Sequence, residues 1–96
     1  MIIYFFCGVK VMKTVVIDCK MDYDLDELHG VIAQKLSYGK DYKKDFDDLE
    51  SRLMSVSDEV LFVFENEDLI NDDEGELRNF VEKISKQNPN VRTINR

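Results

Sequence analysis

Residues 41–53, Asp-Tyr-Lys-Lys-Asp-Phe-Asp-Asp-Leu-Glu-Ser-Arg-Leu, hold five acids: Asp41, Asp45, Asp47, Asp48 and Glu50. Carboxylates at this density have three chemical uses: general acid–base catalysis by a pair, ligation of a hard cation, or presentation of negative charge to a basic partner. Catalysis needs a further functional group at readable spacing. The only histidine is His29, and no Ser or Cys stands in a triad relation to it. It shares a helical face with Leu25, Ile32 and Leu36, which predicts a partly buried structural imidazole. Cation binding fails on spacing. Asp22-x-Asp24-x-Asp26 opens like an EF-hand loop, but the sixth position is Glu27 instead of Gly and the twelfth is Ala33 instead of Glu. Residues 71–75 lack a first ligand, since Ile70 stands at the register start, and no Gly-rich phosphate loop occurs. The expectation is a protein that is not an enzyme and holds no metal or cofactor. Binding is the use that remains.

An amphipathic helix would position these acids. Tyr42, Phe46, Leu49 and Leu53 follow the i, i+4, i+7, i+11 spacing of one buried face. At about 100° per residue, Lys44, Asp47, Asp48 and Ser51 fall on the opposite side, with Asp45 and Glu50 on its flanks. The spacing predicts a solvent-facing ridge on a helix that begins near Lys43.

The whole-chain charge agrees with a binding role. Twenty acids against thirteen bases give a net charge of −7 and a pI near 4.6. A nucleic-acid backbone would demand the reverse balance, whereas a partner with a basic face is steered toward such a field. Ninety-six residues make one small domain with a single core. The two cysteines, Cys7 and Cys19, form no CxxC and no disulfide ladder. No apolar run approaches the ~20 residues of a membrane span. The stretch 2–6 (IIYFF) is too short for a signal-peptide core and has no basic residue before it. A cytoplasmic protein is expected. Met12-Lys13-Thr14 reads as a second beginning, so residues 1–11 are expected to be an N-terminal extension, either a misplaced start or an added edge strand or interface, ahead of a domain over 12–96.

The remaining elements follow in order. Residues 14–18 (TVVID) predict a strand buried on both faces. Asp24 and Glu27 form a capping box for a first helix, with Tyr23 and Leu28 placed as a hydrophobic staple. Leu25, Leu28, Ile32 and Leu36 make its stripe, and Gly39 suits the position after its end. Gly30 in its middle costs about 1 kcal/mol relative to Ala, which predicts a close neighbour at that backbone. Residues 60–64 (VLFVF) read as a central strand covered on both faces. Residues 68–71 predict a short helical turn before Asp73 caps a last helix, which carries Leu77, Phe80, Val81 and Ile84 inward. Asn88-Pro89-Asn90 breaks it, and residues 91–94 (VRTI) close the chain as a strand. The order β-α-α-β-(α)-α-β predicts an α/β fold with a three-stranded parallel sheet flanked by helices.

From Lys13 to about Ile94 the chain resembles the barstar family of intracellular ribonuclease inhibitors. The resemblance rests on the opening strand KTVVI, on DELHGVIAQKL with His29, on DYKKDFDDLESRL, and on NFVEKI near the end, in a register without gaps from the first strand through the second. It implies a barstar-like fold and an immunity protein, an antitoxin of bacterial type, whose second helix and preceding loop plug a basic ribonuclease in a 1:1 complex. Asp47 stands where the family has an acid of that helix, Glu82 where it has an acid on the last helix, and Tyr42 where it has a loop aromatic. The chain departs from the pattern elsewhere. Asp41 replaces a contacting Tyr, Glu50 a Trp, Ser51 an important Asp, and Lys43 a Gly, so the resemblance implies a nuclease partner other than barnase. The expected partner-binding set is Asp41, Tyr42, Lys44, Asp45, Asp47, Asp48, Glu50, Ser51 and Glu82. Two alternatives stand beside it: an enzyme using acids near His29, and an interaction module unrelated to nucleases that docks through IIYFF or through residues 65–76.

Overall fold

The computed structural model describes residues 12–96, and the expectations for residues 1–11 lie outside them. Three strands, β1 (Met12–Asp18), β2 (Glu59–Glu65) and β3 (Val91–Asn95), form one parallel sheet in the order β1-β2-β3. Three helices join them: α1 (Leu25–Leu36), α2 (Phe46–Ser55) and α3 (Asp72–Gln87). Two 3₁₀ turns, Cys19–Met21 and Glu67–Leu69, lead from β1 to α1 and from β2 to α3. No described helix is long and apolar enough to cross a membrane.

A sequential strand order fixes where the helices go. Right-handed crossovers from β1 to β2 and from β2 to β3 step the same way across the sheet, so both pass over the same face. The burial follows. Val15 and Ile17 of β1, Val60, Phe62 and Phe64 of β2, and Val91 of β3 join Leu28, Ile32 and Leu36 of α1, Leu49 and Leu53 of α2, and Leu77, Val81 and Ile84 of α3 in one core. On the other face Met12, Val16 and Ile94 are exposed, whereas Val63 of the central strand is 2% exposed. The expectation that β1 is buried on both faces is therefore corrected, since Thr14 and Val16 are exposed; β2 is the central strand, and its Phe62 and Val63, on opposite faces, are both buried, with the described helices on one side.

The helix starts are set by caps. Asp24 and Glu27 close the expected box on α1, and the stripe Leu28, Ile32 and Leu36 is buried as predicted. The end differs from the expectation: Ser37, at φ 60°, takes the left-handed position, two residues before Gly39. Asn71 caps α3, not Asp73, and forms a second capping box with Glu74. Asp73 is used across the structure, accepting a hydrogen bond from the Leu25 amide of α1 (3.2 Å). At the far ends of the helices Asn88 does more than break α3. Its side-chain amide donates to the Leu53 carbonyl (2.8 Å) and the Val56 carbonyl (3.3 Å), satisfying acceptors left over at the end of α2.

Glu74 has no exposed surface. One carboxylate oxygen accepts from the Asn71 amide (3.0 Å) and the other from the Tyr23 amide (2.9 Å), so a single side chain ties the start of α3 to the segment entering α1. The Cys19 thiol lies beside it. Burial, followed by the Glu74 charge, raises the thiol pKa to about 11, which keeps it protonated and unreactive.

Two substitutions test these packing statements. Glu74→Ala strands two amide donors and opens a cavity, and is expected to cost about 2–4 kcal/mol in urea unfolding. Gly30→Ala is expected to stabilise by about 1 kcal/mol, because nothing lies within 4 Å of a Cβ built there. That open space also corrects the expectation of a close neighbour at Gly30.

Candidate functional site

The acid-rich stretch is half loop and half helix. Helix α2 begins at Phe46, three residues later than the spacing predicts, because Asp45 is its N-cap and accepts from the Asp48 amide (2.7 Å). Residues 41–44 form a loop held against the helix from both sides. On the inner side Tyr42 is buried, and its hydroxyl is hydrogen-bonded to His29 Nδ1 (2.6 Å). On the outer side Asp48 Oδ2 accepts from the Lys43 amide (2.9 Å), and Asp48 Oδ1 accepts from Arg52 Nε (3.2 Å). A second Arg52 nitrogen, Nη2, donates to Asp41 (3.2 Å), while the guanidinium lies over the Tyr38 and Tyr42 rings at 4.7 and 5.2 Å. A planar cation with fixed donors suits this double task.

These contacts divide the carboxylates into two sets. Asp45 and Asp48 are committed internally, as helix cap and as loop clamp. The Lys43 amide, and beyond it the Arg52 guanidinium, hold the Asp48 carboxyl below the ordinary Asp range against the opposing effect of desolvation. The ridge position predicted for Asp48 is thereby corrected: its side chain is 18% exposed and faces Arg52, not open solvent. Asp47, Glu50 and Ser51 are exposed on the outer side of α2, and among the described residues the Asp47 and Glu50 carboxylates have no hydrogen bond or ion pair. Asp41 is exposed and paired with Arg52. Lys43, Asp45, Asp47, Asp48 and Ser51 line a shallow cleft of about 260 Å³ along this face. Lys44 is exposed and holds a left-handed backbone, φ 57°, a conformation unusual for a side chain of its length. Lys43 beside it is not left-handed, so its backbone accommodates a side chain. Glu82 lies half-buried on α3, and its carboxylate has no described contact with this group.

The residue that sequence reasoning missed is Arg52. The wheel puts it at the edge of the apolar seam, and the available signal was its i, i+4 relation to Asp48 with two tyrosines upstream.

His29 is 4% exposed and closes the group from behind, its ring 5.8 Å from Tyr42 and 5.4 Å from Phe46, with Phe46 in turn stacked on Phe80. The expected structural role is what this environment provides. A second cleft, lined by Asp22, Tyr23, Asp24, Asn71, Asp72 and Asp73, lies where α1 and α3 start. Helix N-termini attract anions, but here Asp24, Asn71, Asp73 and Glu74 already occupy the free amides. No described group of three or more His, Cys, Asp and Glu residues could hold a metal ion. No protein-family profile matches the chain, and no curated protein matches it at a significant level.

Burial lowers the His29 pKa below 6.5, against weaker opposing pulls from Asp45 and Asp26. The unfolded chain takes up the proton through pH 6.5, while the fold resists it until lower pH. The stability contributed by neutral His29 is thus fully present above about pH 6.5 and is lost as pH falls below it. The urea midpoint is expected to drop between pH 7.5 and 5.5, and His29→Gln to flatten that part of the profile.

Proposed function

We propose that this chain is a barstar-like immunity protein: a cytoplasmic inhibitor, of bacterial type, that covers the active site of a cytotoxic ribonuclease with α2 and the loop before it. The observation that carries the reading is the division of labour among the acids. Asp45 and Asp48 fix the loop and the helix start, leaving Asp47 and Glu50 unpaired and outward on a rigid element. A ribonuclease cleft is basic because it must hold phosphates. Carboxylates already fixed in place can occupy such subsites without the cost of ordering flexible side chains and loops. The three-stranded parallel sheet flanked by helices, the architecture the resemblance implies, supports the same reading. So does the net charge of −7, which would speed encounter with a basic nuclease and make the on-rate fall with salt.

The partner differs from barnase, since Asp41, Glu50 and Ser51 replace the family's aromatic and acidic anchors. Asp41 is taken up by Arg52, and Tyr42 is buried against His29, so the contact falls chiefly on Asp47, Glu50 and Ser51, with Lys44 and Asp45 at the loop margin and Glu82 on α3 more distant.

The test is inhibition of RNA cleavage by small, basic, secreted ribonucleases, beginning with any encoded beside this chain. A 1:1 inhibitory complex is expected with the cognate enzyme. Replacing Asp47 and Glu50 together by Ala should weaken it on the order of tenfold or more and reduce its salt dependence, with the urea midpoint unchanged. Inhibition as strong by the double variant as by the parent would show that α2 is not the contact surface. Failure against every such enzyme would favour an interaction module with a non-nuclease partner.

A further inference from the structure

We propose that the cleft at the amino end of the sheet, between the last turns of α1 and α2, binds a small carboxylate with a flat apolar body. This inference is independent of the ribonuclease reading. The cleft measures about 240 Å³, and its apolar wall is made by Leu36 of α1, Val60 of β2 and Val56 just after α2. Leu36 and Val60 belong to the core, so this wall is fixed in place. Lys13 stands beside Val60 in the strand register, and Tyr38 and Arg52 close the opposite side. In a chain with a net charge of −7, this cleft is lined by two cations and no acid. An apolar wall with a few convergent polar groups is the usual form of a small-molecule site.

The polar groups can receive an anion without giving up the bonds they already make. Arg52 donates Nε–H to Asp48 and one Nη2 hydrogen to Asp41, which leaves three of the five guanidinium N–H groups. Lys13 has no ion pair among the described residues. Burial raises the Tyr38 pKa above its ordinary 10, so its hydroxyl stays protonated as a further donor. Helix ends repel anions through their free carbonyls, but the carbonyls of Ala33, Leu53 and Val56 are already bonded. The first accepts from the Tyr38 amide (2.9 Å), and the other two from the Asn88 side chain. Size sets the rest of the ligand. Drug-sized molecules occupy about 300 Å³ or more, whereas about 150 Å³ already holds a benzene-sized ring. The occupant is therefore a single ring carrying the carboxylate, a shape that also suits packing beside the Tyr38 ring.

The experiment titrates the full chain with phenylacetate, and with phenylacetamide as its neutral counterpart, following backbone amide NMR signals and urea unfolding. Phenylacetate is expected to saturate with a Kd on the order of 1 mM. It should shift the amide signals of Lys13, Leu36, Tyr38 and Val60 and raise the urea midpoint. Phenylacetamide should bind about tenfold more weakly, because it lacks the charge that Lys13 and Arg52 meet. Lys13 is half-buried at the rim and outside the core, so Lys13→Gln keeps the fold. That variant should weaken phenylacetate about fivefold or more and leave phenylacetamide unchanged. Equal affinity for acid and amide would overturn the proposal, as would phenylacetate binding that Lys13→Gln does not alter. The absence of saturable shifts at the cleft would overturn it as well, and would leave the ribonuclease reading untouched.

Discussion

A fully buried carboxylate, Glu74, is the constraint on which this small domain depends. Two helices of the crossovers start side by side at the carboxyl end of the sheet, and each start brings amide donors that need acceptors. Glu74 serves both, bonding the Asn71 amide at its own helix and the Tyr23 amide at the entry to the other. Asp73 adds the Leu25 amide, and the Asn71 side chain returns a bond to the Tyr23 carbonyl (2.9 Å). The positive ends of α1 and α3 are thus neutralised from within the protein. Asp24, Asp73 and Glu74 at this end are engaged with the fold's own amides.

The same logic, applied at α2, leaves a different remainder. Its start is capped by Asp45 and its loop clamped by Asp48 and Arg52, yet Asp47 and Glu50 are not needed for either task. Tyr42 and His29 support the loop from inside, and Arg52 spans from the clamp to the aromatic rings beneath. The loop is therefore held by hydrogen bonds on one side and by packing on the other. Rigidity at this surface is a consequence of the internally committed residues, and the outward ones are left free of structural duty.

Local signals in the sequence suffice where local physics decides. The Asp24–Glu27 box requires only residues within one turn, and it forms as expected. The cap of α3 lies two residues before the expected Asp73, because Asn71, Asp72 and Asp73 are all competent caps. The choice falls to Asn71 through its distant bonds to Asp22 and Tyr23. The start of α2 was misplaced because its apolar spacing continues into Tyr42, which packs from the loop. A helical wheel put Asp48 outside, since it carries no knowledge of a loop folding back to offer the Lys43 amide. The expectation of helices on both sides of the sheet differs from the structure for a topological reason. A short apolar run looks the same whether one or two layers cover it, whereas sequential strand order with right-handed crossovers permits one helical layer only.

The separation between inward and outward acids on α2 also bears on how such a surface changes over generations. A substitution at Asp47, Glu50 or Ser51 alters what the helix presents while leaving its cap, its clamp and its seam untouched. This outward surface can therefore vary widely without loss of the fold, which under the proposed function would let partner preference drift. Changes at Asp45, Asp48 or Arg52 carry no such freedom, because those side chains hold the cap and the clamp themselves.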